Sequence, residues 1–243
     1  MLEQLKEEVY AANMMLKEYN LVILTWGNVS GIDDNRELIV IKPSGVDYDK
    51  LKPDDMVVVN LNGEVVEGRL NPSSDTPTHI ELYKAFAEIG GVCHTHSKYA
   101  TAFSQCNAYG EGGIPAYGTT HADYFNGYIP CTRPMKKKEI AEDYEKNTGL
   151  VIVETLKKIK MSALEMPAVL VNSHGPFTFG KDAKDSMINS LILENVADLA
   201  YKTKSLFGSA KASMLSSGMQ PELLRKHFDR KHGENAYYGQ KEN

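Results

Sequence analysis

Cysteine, tryptophan and long apolar runs are all scarce in this chain of 243 residues. Its three cysteines (Cys93, Cys106 and Cys131) are an odd number without CxxC spacing. That excludes a zinc ribbon or a small disulfide scaffold and suits reduced thiols in the cytoplasm. No apolar stretch approaches the roughly 20 residues that cross a bilayer, so no membrane partner is expected. Glu3, Glu7 and Glu8 near the start predict neither a signal nor a transit peptide. Basic residues are outnumbered: 27 Lys and Arg against 32 Asp and Glu leave a net charge of -5. The densest basic run, Lys136-Lys137-Lys138, opens a polar helical segment and has no interleaved aromatics, so no nucleic-acid surface is expected.

What is present is an ordinary globular composition, 42% hydrophobic and 24% charged, without linker or internal repeat. One domain over 1–243 is expected. Helical spacing marks an opening helix through Leu2, Leu5, Val9, Ala12, Met15 or Leu16, and Tyr19. Strands are predicted at Leu21–Thr25, Glu37–Lys42, Met56–Asn60 and Glu64–Glu67, the last two joined by an Asn62-Gly63 turn. Thr76-Pro77 starts a helix to about Phe86, and a strand follows at Val92–Ser97. Further helices are read at Glu139–Tyr144, Val151–Ile159, Asp182 to about Phe207, and Pro221 to near Gly233. Strands are read at Ala168–Asn172 and Phe177–Phe179, and a loop over 208–218. Trp26, the only tryptophan, reads as a packing residue. The mixture predicts an α/β fold: a three-layer α/β/α single domain with a mixed, largely antiparallel central sheet.

The strongest chemical signal is His94-Thr95-His96. On a strand, residues two apart share a face, so both imidazoles can reach one ion while Cys93 and Thr95 turn away. HxH alone is equally consistent with two core or surface histidines. His174, in a turn after an apolar strand, and Asp75, just before a helix start, could complete a site suited to Zn²⁺. Their plainer readings are a surface turn histidine and a helix cap.

Several segments, in order along nearly the whole chain, resemble the sugar-phosphate epimerases of the class II aldolase/epimerase family. They are Thr25-Trp26-Gly27-Asn28-Val29-Ser30, Ile41-Lys42-Pro43-Ser44-Gly45-Val46, Pro72-Ser73-Ser74-Asp75-Thr76-Pro77-Thr78-His79, His94-Thr95-His96, Gly118-Thr119-Thr120-His121-Ala122-Asp123-Tyr124, and Arg230-Lys231-His232-Gly233 with Ala236-Tyr237-Tyr238-Gly239-Gln240. The resemblance implies that His94, His96 and His174 ligate a divalent metal. Zinc is the expected ion, with Mn²⁺ or Co²⁺ as alternatives, and Asp75 is an additional carboxylate ligand. It implies phosphate binding by Gly27, Asn28, Lys42, Ser44, Gly45, Ser73 and Ser74. It makes Asp123 and Tyr238 the catalytic acid/base pair, the tyrosine coming from a neighbouring subunit of a C4 homotetramer. The tail from about residue 234 would thus complete a neighbour's site, and His227 and Arg230 would approach the same interfacial site.

That assignment is chemically coherent. In a 2-ketopentose the carbonyl acidifies the proton on carbon 3 but not the one on carbon 4, so deprotonation cannot invert carbon 4. Retro-aldol cleavage between carbons 3 and 4, rotation of the aldehyde and re-addition can. The route needs a Lewis acid for the charge that develops on the enediolate oxygens, acid/base groups for the carbon 4 hydroxyl from either face, and an anchor for the phosphate. The implied substrate is a phosphorylated ketopentose, interconverted between L-ribulose 5-phosphate and D-xylulose 5-phosphate. The rival readings are a class II aldolase acting on a sugar 1-phosphate of the L-fuculose type, a related dehydratase, and a non-catalytic zinc-binding scaffold.

Overall fold

The computed structural model describes residues 2–106, 113–207 and 218–239. Its centre is a seven-stranded sheet: β1 Asn28–Ile32, β2 Leu38–Ile41, β3 Val57–Asn60, β4 Val65–Glu67, β5 Gly91–His94, β6 Ala168–Val171 and β7 Gly175–Gly180. The strands lie in the order β4-β3-β2-β1-β5-β7-β6. Every ladder is antiparallel. Among the described residues the parallel component of the expected mixed sheet shrinks to an isolated bridge between Cys131 and Leu170.

Alternation along the strands sorts the core into two layers. Val29, Val40, Val58 and Cys93 face one side and pack with Val9, Ala12 and Leu16 of helix α1 (Glu3–Glu18). Helix α7 (Ala183–Phe207) adds Ala183 and Met187 to that layer. Ile39, Val57, Val59, Val92 and Phe179 face the other side, under α2 (Thr76–Ala85) and α6 (Tyr144–Ile159). Helix α3 (Lys98–Cys106) joins the same layer through Ala100 and Phe103. The sandwich of helices on both faces of a sheet is the expected three-layer α/β/α architecture. Three further helices complete the described residues: α4 Thr119–Ala122, α5 Lys137–Ala141 and α8 Pro221–His232.

Three local expectations change. Leu21–Thr25 is not a strand: Leu24 sits in the left-handed region, at φ 55°, within a turn. The strand starts instead at Asn28, after Gly27 (φ 76°) has redirected the chain. The strand predicted to reach Ser97 ends at His94, and α3, unread in the sequence, begins four residues later. Asp143, at φ 49°, separates α5 from α6, so the helix expected over Glu139–Tyr144 is two helices meeting at a break. Most of the loop read over 208–218 lies outside the described residues, as does Gln240.

Candidate active site

Three imidazoles converge at one end of the sheet. His94 closes β5, His96 lies just beyond it, and His174 sits in the turn between β6 and β7. One ring nitrogen from each of the three lies within 4.8 Å of the others. His94 Nδ1 is 2.9 Å from the carbonyl oxygen of Pro176. A carbonyl only accepts, so Nδ1 carries the proton and Nε2 keeps its lone pair. That Nε2 is 3.1 Å from His96 Nε2. Two nitrogens bound to one tetrahedral zinc would stand about 3.4 Å apart, so the pair is already near ligand spacing. The His94 ring is stacked on Phe177 with centroids 4.1 Å apart. Ser173, at φ 57°, turns the chain so that His174 faces the other two rings, 4.8 Å from His94 and 5.1 Å from His96.

The surroundings favour the unprotonated form of His96 and His174. Burial, then the neighbouring His94 and His96, push the His174 imidazole down to about 3. Burial and His94 also lower His96. Asp75 is the N-cap residue of α2, yet its side chain makes no capping bond. Its Oδ2 instead accepts a hydrogen bond of 2.7 Å from Asn28 Nδ2. Burial works against the Asp75 carboxylate, but His94, His79, the Asn28 bond and His174 outweigh it and hold the group below its usual range. The three imidazoles, with ring nitrogens this close, fit a divalent cation, while Asp75 lines the same cleft but stands outside that group of three. Behind them His79 is buried and neutral, pushed down to about 3 by burial. Its Nδ1 lies 2.7 Å from Ser30 Oγ, which is 2.8 Å from Tyr83 Oη. Cys93 faces the opposite layer and takes no part.

The histidines and Asp75 open into a cleft of about 480 Å³ that is also lined by Gly27, Asn28, Lys42, Ser44, Gly45, Ser73 and Ser74. All seven residues expected to hold phosphate therefore line one cavity with the three histidines and Asp75. Gly27 and Gly45 (φ 68°) supply left-handed turns that bring backbone close to it. Lys42 is almost wholly buried, and burial lowers its ammonium to about 8. It donates to the carbonyls of Val46 (2.9 Å), Pro43 (3.3 Å) and Thr25 (3.4 Å). The ammonium thus ties the two glycine turns together as well as lending the cleft positive charge. Trp26 is 53% exposed, its ring 6.1 Å from that of His96, so it stands at the rim instead of in the core. Tyr144 and Glu145, at the start of α6, also line the cleft. Tyr144 Oη lies 3.4 Å from His174 Nδ1. Nothing in the sequence singled these two out, because only the break at Asp143 aims the helix start at the cleft.

Asp123 and Tyr238 gather elsewhere. Asp123 follows α4 and is gripped by α8: Arg230 Nη2 donates to Oδ2 (2.6 Å), Arg230 Nε to Oδ1 (3.0 Å), and His227 Nδ1 lies 2.9 Å from Oδ1. Burial opposes the charge, but Arg230, His227 and Lys231 hold Asp123 below the usual carboxylate range. The Arg230 guanidinium also lies over the Tyr238 ring, 4.9 Å from its centre. Tyr238 itself is 60% exposed. These four residues form one cluster, and none of them lines the histidine cleft of their own chain.

Residues 7–201 match the model of the class II aldolase and adducin N-terminal domain. The chain belongs to this family. Members are divalent-metal dependent, consistent with the histidine triad. The chain is 51% identical over 243 residues to proteins of Salmonella paratyphi A and Salmonella typhi named L-ribulose-5-phosphate 4-epimerase UlaF. The match covers 99% of this chain and 100% of each relative. Among solved structures an L-fuculose 1-phosphate aldolase superposes with a TM-score of 0.74 at 23% identity, covering 93% of this chain and 95% of the other. At that identity the aldolase supports the fold, while the two Salmonella relatives bear on activity.

Proposed function

We propose that this class II aldolase family member is an L-ribulose-5-phosphate 4-epimerase, interconverting L-ribulose 5-phosphate and D-xylulose 5-phosphate by cleaving and re-forming the bond between carbons 3 and 4. The observation that carries the reading is one cleft holding His94, His96, His174 and Asp75 together with the glycine and serine turns. Its support from outside the chain is the full-length similarity to proteins bearing that name.

In this reading His94, His96, His174 and Asp75 hold one divalent metal, zinc by preference for three nitrogens and an oxygen. When bound, that ion would supply Lewis acidity for the negative charge that develops on the substrate during cleavage. The chain does the rest. Backbone donors around Gly27 and Gly45 and the hydroxyls of Ser44, Ser73 and Ser74 anchor the phosphate, with the buried Lys42 charge beneath them. That anchor keeps the aldehyde fragment in the cleft while it turns its other face.

Cleavage requires the carbon 4 hydroxyl to lose its proton, and re-addition returns a proton to the new alkoxide. Asp123, ionised at neutral pH, is suited to accept that proton, and the Tyr238 phenol to donate one from the opposite side. Both lie outside the cleft of their own chain and share the Arg230 clasp. A neighbouring copy that delivers the tyrosine therefore delivers the aspartate with it, and His227 and Arg230 too. This supports an oligomer with sites between subunits, which the family resemblance makes a C4 homotetramer. Three free cysteines suit a cytoplasmic location.

Offering the protein L-ribulose 5-phosphate and L-fuculose 1-phosphate in parallel tests the assignment. Formation of D-xylulose 5-phosphate from the first, without aldehyde release from the second, is expected. Cleavage of the second alone would make the protein an aldolase.

A further inference from the structure

We propose that Asn28 is a positioning residue for the metal centre: its side-chain amide clamps the Asp75 carboxylate beside the imidazoles and ties it to Ser73. The proposal rests on reading His94, His96, His174 and Asp75 as the metal ligands.

Asn28 opens β1 and is paired directly across the ladder with His94. Its side chain therefore starts beside one ligand and ends on another. Nδ2 donates to Asp75 Oδ2 at 2.7 Å and to Ser73 Oγ at 3.1 Å. Ser73 Oγ also accepts the Asp75 backbone N–H at 3.3 Å, so the serine holds both ends of the linkage. The orientation of the amide is not arbitrary. An ionised carboxylate only accepts, so the atom facing Asp75 must be the nitrogen. Oδ1 is then turned away, buried and without a hydrogen-bond partner in the protein.

Asp75 makes no capping bond that could orient it in Asn28's absence. Remove the amide, and the carboxylate is free to rotate away from the imidazoles. Loss of such an outer partner typically weakens metal binding about 10- to 100-fold.

The test is Zn²⁺ affinity of the whole protein, without substrate, by competition with a chromophoric chelator. Asn28→Ala is expected to bind about 10- to 100-fold more weakly than the native chain. Asp75→Ala should weaken binding too, and Asn28→Ala/Asp75→Ala should be no weaker than Asp75→Ala alone, because the amide acts through the carboxylate. If Asn28→Ala does not fold, Ser73→Ala tests the same linkage and should weaken binding by a smaller factor, about two- to fivefold. Metal affinity unchanged in Asn28→Ala (or in Ser73→Ala where it stands in), or independent additive losses in the double variant, would overturn the proposal. A native protein that binds no divalent metal would overturn the ligand assignment itself, a distinguishable result.

Discussion

Replacing Gly27 with alanine is the perturbation whose consequence can be worked out most fully. Gly27 lies at φ 76°, and a Cβ built on it would stand 2.7 Å from Val22 Cγ1 and 3.0 Å from the carbonyl oxygen of His94. The valine can rotate, but the His94 carbonyl belongs to a strand held between β1 and β7. Left-handed backbone costs an alanine about 1 kcal/mol relative to glycine. Overpacking adds about 1–3 kcal/mol, so the total is about 2–4 kcal/mol. Gly45 is the internal control, because at φ 68° its Cβ would meet nothing within 4 Å. Only the backbone contribution of about 1 kcal/mol then remains. For a chain of this size each kcal/mol moves Tm by roughly 2–4 °C. Metal-free protein at one fixed concentration should therefore lose about 4–16 °C in Gly27→Ala and about 2–4 °C in Gly45→Ala. Relief of the clash displaces the strand end that carries His94, so Gly27→Ala should also bind metal more weakly. Differential scanning calorimetry measures the first effect and chelator competition the second. Equal Tm losses in the two variants, with metal affinity intact, would refute the claim that the Gly27 turn is packed against the metal strand.

Other outcomes follow from the same geometry. His174→Ala removes one of three convergent imidazoles and should lower bound metal, measured by elemental analysis after dialysis, and activity by more than about 100-fold. Asp123→Asn should fold normally and lose most activity while keeping its metal, since it leaves the imidazoles untouched; loss of metal in this variant would contradict the separation of the two clusters. Mixing inactive His174→Ala with inactive Tyr238→Phe subunits tests assembly. If each site draws its cleft and its tail from different copies, random tetramers regain about a quarter of native activity, whereas sites within one chain regain none. Stability should depend on pH with a definite sign. His79 and His174 titrate near 6.5 when unfolded and are pushed to about 3 in the fold, so the unfolded chain binds more protons between those values. Metal-free protein should accordingly lose stability as pH falls from about 6.5 towards 3, in denaturant titrations, and His79→Gln should flatten that decline.

Much of the architecture was legible in the sequence because periodicity carries it. Helix α1 displays its burial pattern directly and the Asn62-Gly63 hairpin its turn chemistry. The stripe read along α7 through Ile188, Leu191, Ile192, Val196 and Leu199, by contrast, is not its buried face: α7 buries Met187, Leu193, Val196, Ala197 and Ala200 and leaves Leu199 exposed. β1 was not legible, since Asn28, Ser30 and Gly31 are poor strand formers that are buried on both sides by β2 and β5. The pairing of His94 with His96 was read from strand parity, yet the strand ends at His94. What brings the rings together is the Pro176 bond, the Phe177 stack and the geometry of the turn beyond the strand. Asp75 reads as cap or ligand in the sequence, and in the fold it makes no capping bond but accepts one from Asn28. Tyr144 and Glu145 carry no motif of their own, and a backbone break at Asp143 places them.

The most direct test of the central claim is to run the reaction in D₂O, with and without a chelator, and follow both pentulose phosphates by NMR. Carbon–carbon cleavage within a metal cleft predicts conversion of L-ribulose 5-phosphate to D-xylulose 5-phosphate. It should stop on chelation, resume on Zn²⁺ addition, and leave the hydrogens on carbons 3 and 4 unexchanged. Conversion that survives removal of the metal, or deuterium appearing at carbon 4 of the product, would contradict the account.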